Sequence, residues 1–137
     1  MPDAMKCAIL VSDDLPTGLA VNAASVLAVS LGANVDGLVG KDVKDLDGVL
    51  HPGVIYTPLP ILRHTAAGIH EVLSAVASDE EVFFATFSSL AQSCRTYDEY
   101  IDRMGQVATD DIDLVGIALC GPKKKVNKLV GSLPLFK

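Results

Sequence analysis

Residues 6–32 read KCAILVSDDLPTGLAVNAASVLAVSLG, and this stretch decides the fold. Residues 7–11 are a continuous apolar run, which is typical of a strand buried on both faces. Pro16 and Gly18 end the run, and a helix is predicted to begin near Gly18. A strand that passes into a helix through an acidic loop is typical of α/β proteins, and ligands often bind at such loops.

The predicted helix is apolar on both faces. One face carries small and aliphatic residues at three- and four-residue spacing: Ala20, Ala23, Ala24, Leu27, Ala28 and Leu31. Val21, Val26 and Val29 occupy much of the opposite face. A helix that is apolar nearly all round is expected to be buried all round. In so small a chain a second protomer would cover the outer face, so we expect a homodimer. Gly32 is the expected C-cap of the helix.

Apolar runs and turn residues predict the remaining elements. We expect strands at 54–57, 82–87 and 114–119, and helices at about 62–77, 96–104 and 122–130. Asp47-Gly48, between two short apolar pairs, predicts a hairpin. The alternation of strands and helices predicts one α/β domain over residues 1–137, with a largely parallel or mixed sheet.

The segment TYDE at 96–99 has the Thr-x-x-Glu form of a capping box, which begins a helix. This helix is expected to bury four side chains: Tyr97, Tyr100, Ile101 and Met104.

Composition narrows the class of protein. Half of the 137 residues are hydrophobic and the mean hydropathy is +0.38, which favours a tightly filled core together with an oligomer interface. The net charge of −6 argues against general nucleic-acid binding, although it leaves room for a local basic patch.

The cysteine and histidine spacing predicts neither a metal nor a cofactor. The three cysteines and three histidines show no metal-ligand spacing, so we expect reduced thiols in a cytoplasmic protein. The first apolar run is too short for a signal peptide, and no stretch approaches the ~18 apolar residues of a membrane span. We therefore expect no membrane partner.

Two strand-to-helix turns are the candidate site: SDDLPTG at 12–18 and CGPKKK at 120–125. If their strands are parallel neighbours, both turns lie at the carboxyl edge of the sheet. One turn would bring Asp14 and Thr17, and the other Lys123, Lys124 and Lys125 at a helix start that favours anions. This pairing predicts a small anionic or zwitterionic ligand. Alternatively, Asp14 only bonds its own loop and the lysines form a solvated face.

Two further polar residues are candidates for the same site. Asn22 lies on an otherwise apolar helix, where its amide either steadies the 12–18 loop or contacts the ligand. His51 lies in a Pro/Gly loop and is either an outlying ligand residue or a packing residue. Cys120 is interpreted as a buried structural thiol. The phosphate-binding patterns GxGxxG and GxxxxGK[ST] are missing from these turns.

The two ends, KCAILVSDDLPTGLAVNAA and GIALCGPKKKVNKLVGSLPLF, resemble the bacterial domain-of-unknown-function family numbered two thousand. That resemblance extends to DGVLHPG, PLPIL and LAQSCRTYDEY. More distantly, the ends resemble type II peptidyl-tRNA hydrolases, which also finish with a Gly-x-Leu-x-Leu pattern like Gly131, Leu133 and Leu135 here. The second resemblance implies a small three-layer sandwich, with a mixed four-stranded sheet between helices, and a dimer.

The hydrolase resemblance also identifies positions where this chain differs. The family has a functional Lys before the Ala-Ala pair, a Gln after it and a His three residues later. Here those positions hold Val21, Ser25 and Ala28, and Val130 replaces the Thr before the closing Gly. The leading hypothesis is therefore ligand binding. The alternatives are a hydrolase or transferase acting on an aminoacyl- or peptidyl-type substrate, and a homodimeric interaction module without catalysis.

Overall fold

The structure is a computed structural model that describes residues 5–137. In chain order the elements are β1 (Met5–Ser12), α1 (Thr17–Asn34), β2 (Val43–Lys44), β3 (Leu50–His51), β4 (Ile61–His64), α2 (Ala66–Val76), β5 (Phe83–Ser88), α3 (Ser89–Ser93), α4 (Tyr97–Met104), a 3-10 turn (Thr109–Asp111), β6 (Leu114–Pro122) and α5 (Lys123–Val130).

The main sheet has four strands in the order β4-β1-β6-β5. β1 is parallel to β4 and antiparallel to β6, and β5 is antiparallel to β6. The predicted α/β class with a mixed four-stranded sheet is therefore confirmed. β1 and β6 occupy the two inner positions because their unbroken apolar runs fit strands that are covered on both faces.

Helices cover both faces of this sheet. Alternate β1 residues point to opposite faces, as the two-residue period of a strand requires. Cys7, Ile9 and Val11 pack with α1 in one apolar cluster. Ala8 and Leu10 pack with α2 and α5 in the other. We call the first side the α1 layer.

The fourth strand lies later in the chain than the sequence predicts. Residues 54–57 form only an isolated bridge, between Ile55 and Val39. The strand is β4, in residues where the sequence predicts the start of a helix. Pairing with β1 decides this, since Ile61 lies opposite Ile9. α2 then begins after Thr65, whose hydroxyl accepts a hydrogen bond from the Gly68 amide.

The predicted hairpin at Asp47-Gly48 is confirmed. β2 and β3 pair as a separate two-stranded sheet, which we call the arm (residues 42–53). Gly48 has φ +87°, a conformation that favours glycine. Asp45 stabilises the turn by accepting hydrogen bonds at 3.0 Å from the amides of Asp47 and Val49.

The capping box at the start of α4 is confirmed, but the predicted burial is wrong. The Thr96 hydroxyl accepts from the Glu99 amide, and the Glu99 carboxylate accepts from the Arg95 amide. Tyr97 is 73% exposed and Ile101 is 58% exposed. α4 packs beside the short α3 rather than on the sheet, so no apolar layer covers these side chains.

α1 differs from its predicted form in two ways. It ends at Asn34, two residues beyond the predicted cap Gly32. Its outer face is exposed in the single chain, with Val29 72% accessible. With 18 residues and a mean hydropathy of 1.3, α1 is long and apolar enough to cross a membrane by length and composition alone. Its inner stripe, however, packs on the sheet.

Candidate functional site

The register of β1 against β6 decides where the candidate residues lie. Met5 is opposite Pro122, and Val11 is opposite Gly116. Because the strands are antiparallel, the 12–18 turn and the 120–125 turn leave the sheet at opposite edges. The predicted cleft shared by both turns is therefore wrong. Each turn has a separate set of neighbouring residues.

At the first edge, Asp14 bonds within its own loop. Its carboxylate accepts a hydrogen bond of 2.5 Å from the Ser12 hydroxyl, and Ser12 is buried at the end of β1. Thr17 begins α1 after Pro16, which provides no side-chain cap. This contact supports the alternative in which Asp14 only forms a hydrogen bond within its own loop.

Asn22 is exposed, although the sequence predicts a helix that is buried all round. Its side-chain oxygen accepts a hydrogen bond of 3.3 Å from the Gln92 amide. The same Gln92 nitrogen donates to the Leu19 carbonyl at 3.2 Å. Asn22 therefore links α1 to α3, far from the lysines of the 120–125 turn.

His51 belongs to the arm and lies in neither turn. Its Nε2 lies 2.8 Å from an Asp45 carboxylate oxygen across the hairpin. This bond, together with the amides that Asp45 accepts, holds the pKa of Asp45 below its usual value. The contact supports the packing interpretation of His51.

Lys125 forms ion pairs with two acidic residues that lie just before β5. Its ammonium lies 2.9 Å from the Asp79 carboxylate and 2.7 Å from that of Glu81. The hydrogen bonds from Lys125 lower the pKa of Asp79, and those same bonds raise the pKa of Lys125. Its charge is balanced, so Lys125 is a structural ion-pair residue in this arrangement.

Lys6 and Lys123 line an open groove at the same edge of the sheet. It has a volume of about 530 Å³ and is lined by Met5, Lys6, Thr57, Pro58, Leu59, Pro60 and Lys123. We call it the lysine groove. Lys6 reaches it from the start of β1, opposite Gly121, and Lys123 from the first residue of α5. The Lys6 ammonium donates a 2.5 Å hydrogen bond to the Asn127 side-chain oxygen.

A second hollow of about 430 Å³ adjoins the lysine groove through Lys123. Pro122, Lys124 and Asn127 complete its lining. Neither lining includes a carboxylate. In a chain with net charge −6, these two linings together are therefore a local cationic surface.

Lys6 is a site residue that no sequence pattern identifies. Its signal is its position directly before the apolar run of β1, but that position matters only once β6 is antiparallel to β1. The groove therefore unites Lys6 with Lys123, while Lys124 lies in the adjoining hollow.

Another groove, of about 410 Å³, lies alongside α1, where the helix meets β1, β4 and the last residues of the chain. It is lined by Val11, Thr17, Ala20, Val21, Ala24, Ser25, Ile61, Phe136 and Lys137. We call it the α1 groove. Its lining is mainly apolar and contains no carboxylate side chain or histidine, so it offers no acid–base pair for hydrolysis.

Cys7 and Cys120 lie directly opposite each other in the centre of the sheet, and both are buried. The hydrogen bond between their thiols raises the pKa of Cys7, and burial raises it further. This environment confirms that Cys120 is a buried thiol. Within residues 5–137, no group of three or more His, Cys, Asp or Glu side chains is placed to hold a metal ion.

Comparisons with known proteins identify a family and a fold. A family described as "Protein of unknown function (DUF2000)" matches residues 5–137. A solved structure of a protein of unknown function from Agrobacterium tumefaciens matches with a TM-score of 0.88. That match has 16% sequence identity and covers 98% of each chain, so it shows a shared fold. No curated protein matches the sequence.

Proposed function

Because this chain belongs to the DUF2000 family, a family of unknown function, we propose a function from its own geometry. The protein binds a small anion that carries an apolar part, and it does so in the lysine groove. Alkyl phosphates and fatty carboxylates have this chemistry. The proposal retains the anionic ligand predicted from the sequence, and it replaces the two-turn cleft with a single edge of the sheet.

One observation carries the proposal: two lysines line a groove that also has apolar side chains and contains no carboxylate. Lys6 and Lys123 supply the charge, and Met5 and Leu59 supply apolar surface. Exposed ion pairs contribute only ~0.2–1 kcal/mol each. Charge alone would therefore hold an anion weakly, and burial of an apolar group at ~25 cal/mol per Å² adds affinity.

The hydrogen bonds at this edge leave the positive charge available. Lys6 is held by Asn127, whose amide is neutral and does not balance an ammonium. Lys125, in contrast, is paired with two carboxylates. The start of α5 has no side-chain cap, so its first amides also favour an anion.

The polar side chains of the groove lining are Lys6, Thr57 and Lys123, which include no carboxylate or imidazole base. We therefore favour binding over catalysis. The alternative hydrolase or transferase would act in the α1 groove, where Val21 and Ser25 occupy positions marked by the hydrolase resemblance. We further propose that the fold is like that of the type II hydrolases and that the protein is cytoplasmic.

The test uses octyl phosphate, inorganic phosphate and octanol as probes, with binding measured by calorimetry on the full chain. We expect octyl phosphate to bind best, because the two other probes each lack half of the proposed chemistry. Lys6→Gln and Lys123→Gln should each weaken octyl phosphate binding up to about five-fold, equivalent to ~1 kcal/mol. Higher salt should weaken it further.

Lys128→Gln is the matched control, because Lys128 lies in the last turn of the same helix and is exposed. It removes the same charge without touching the groove. An equal loss of affinity in Lys128→Gln would mean that net charge, and not the groove, attracts the anion. Absence of octyl phosphate binding would overturn the proposal outright.

A further inference from the structure

The exposed apolar side chains of this chain are concentrated in one layer. Of the fourteen large hydrophobic residues that are exposed in the described chain, eleven lie within residues 19–56. That segment is α1 together with the arm and its flanking residues. Leu38 and Ile55, on either side of the arm, pack into the same apolar cluster as α1. The arm therefore extends from the α1 layer.

α1 contributes an uncharged surface. Its 18 residues include no Asp, Glu, Lys or Arg, although a fifth of the chain is charged. Leu19, Val21, Val26 and Val29 are exposed on it. Two copies that each carry a net charge of −6 repel one another over most of their surfaces. The face of α1 is where they can approach without opposing like charges.

The arm contributes a second exposed surface. Leu46, at its tip, is fully exposed, and Val43, Val49 and Leu50 are also exposed. An isolated two-stranded hairpin is at best marginally stable in water. The arm nevertheless has an ordered turn and a clasp between Asp45 and His51. Such an arm gains stability when its apolar side chains pack on a partner.

Charges on the arm suit a second copy of the same chain. Lys44 and Asp47 form no ion pair within residues 5–137. A twofold axis brings a surface against itself, so Lys44 of one arm can meet Asp47 of the other. These two residues are thus complementary in charge.

The composition of this surface is that of a homodimer interface. Homodimer interfaces are more apolar than ordinary surface, with charged residues depleted at their centre. Eleven exposed large hydrophobic side chains lie on or near a helix without charged residues, which is this composition.

We infer that the outer surface of the α1 layer is the interface of a twofold homodimer, formed by α1 and the arm of each copy. A lipid surface suits this layer less well. Helices that lie on membranes carry Lys and Arg to meet anionic lipids. α1 has none, and Asp13, Asp14 and Asp36 flank its two ends.

The first test measures the mass of the full chain by light scattering over a range of concentrations. We expect twice the monomer mass of 14.4 kDa. Val21→Lys and Val29→Lys should each return the mass to that of the monomer. Both side chains are exposed in the single chain, so circular dichroism should show that the fold is retained. Leu46→Lys should raise the dimer dissociation constant at least ten-fold.

Ile101→Lys is the matched control. Ile101 is 58% exposed and Val21 is 60% exposed, but Ile101 lies on α4, outside the α1 layer. The mass of Ile101→Lys should equal that of the unmodified chain. The inference is overturned if the unmodified chain is a monomer at every concentration. It is also overturned if Ile101→Lys dissociates the dimer as Val21→Lys does.

A flotation assay separates the dimer from a membrane-bound form. The probes are neutral phosphatidylcholine vesicles and vesicles that also contain phosphatidylserine. We expect the protein to stay in solution with both. Flotation that Val21→Lys abolishes, in a protein whose mass is that of a monomer, would replace the dimer by a lipid surface as the partner of this layer.

Discussion

Met5 lies directly opposite Pro122 in the antiparallel pairing of β1 and β6. This pairing carries Lys6 and Lys123 to the same edge of the sheet, where both line the lysine groove. The acidic 12–18 turn leaves by the other edge. Asp14 is therefore remote from the lysine groove, whose lining contains no carboxylate, and the ligand chemistry favoured there is anionic rather than zwitterionic.

Gly53→Ala should disorder the arm. A Cβ at this position would lie 1.8 Å from the backbone oxygen of Gly40, and backbone atoms cannot move aside as a side chain can. Hydrogen exchange of the arm amides should become faster, and the Gly40 amide should lose its bond to Val54. In the control Gly32→Ala, the new Cβ meets nothing within 4 Å. That change should stabilise α1 by about 1 kcal/mol.

His64 and Gly68 should be energetically coupled. A Cβ on Gly68 would lie 2.1 Å from the His64 ring, so Gly68→Ala requires the ring to rotate. In the His64→Ala background the ring is gone, and Gly68→Ala should gain about 1 kcal/mol from helix propensity. A double-mutant cycle in denaturant measures the difference. Equal effects of Gly68→Ala in both backgrounds would contradict the coupling.

The ion pair of Asp79 with Lys125 should make stability depend on pH in the acid range. The Asp79 carboxylate accepts a hydrogen bond from Lys125, and this bond lowers the pKa of Asp79 below 3.8 in the folded state. A lowered carboxyl pKa stabilises the fold above the unfolded pKa, and this contribution is lost as pH falls through the folded pKa. Asp79→Asn should therefore lose less stability than the unmodified chain between about pH 5 and pH 2.

Thermal unfolding across that pH range measures the effect of Asp79→Asn. Asp110→Asn, at an exposed residue of the 3-10 turn, is the control and should follow the curve of the unmodified chain. Identical curves for Asp79→Asn and the unmodified chain would show that the ion pair has no part in acid stability.

The three thiols should react with a thiol reagent in two phases. Cys94 is partly exposed, whereas Cys7 and Cys120 are buried free thiols that share a hydrogen bond. We expect one fast equivalent in the folded protein and two more only after unfolding. Cys94→Ser should remove the fast phase. A fast phase that persists in Cys94→Ser would mean that the central pair is accessible.

Local signals in the sequence predicted much of the fold. The runs at 82–87 and 114–119 lie in β5 and β6, because apolar stretches of this length favour strands. Only β6 is an inner strand, whereas β5 lies at the edge of the sheet and is half-buried. The Asp47-Gly48 turn was equally local. β4 was missed because four residues after a Pro-rich stretch carry a weak signal, and pairing with β1 determines its structure.

The direction of β6 is the part of the site that the sequence does not contain. Apolar patterning identifies a strand, but the same pattern suits a parallel or an antiparallel neighbour. The choice places Lys123 beside Lys6 instead of beside Asp14. The exposure of Tyr97 and Ile101 has a similar origin, since an amphipathic pattern does not say whether a layer is present to cover it.

The first and last strands of the described chain are neighbours at the centre of the sheet. While the protein is being synthesised, β1 has to wait for residues 114–122 to emerge from the ribosome before its inner edge is paired. Contacts between residues so distant in the chain slow folding. Until then the nascent chain exposes an apolar strand edge that is prone to aggregate. We expect chaperone dependence during translation, and a truncation before residue 114 should leave the chain insoluble.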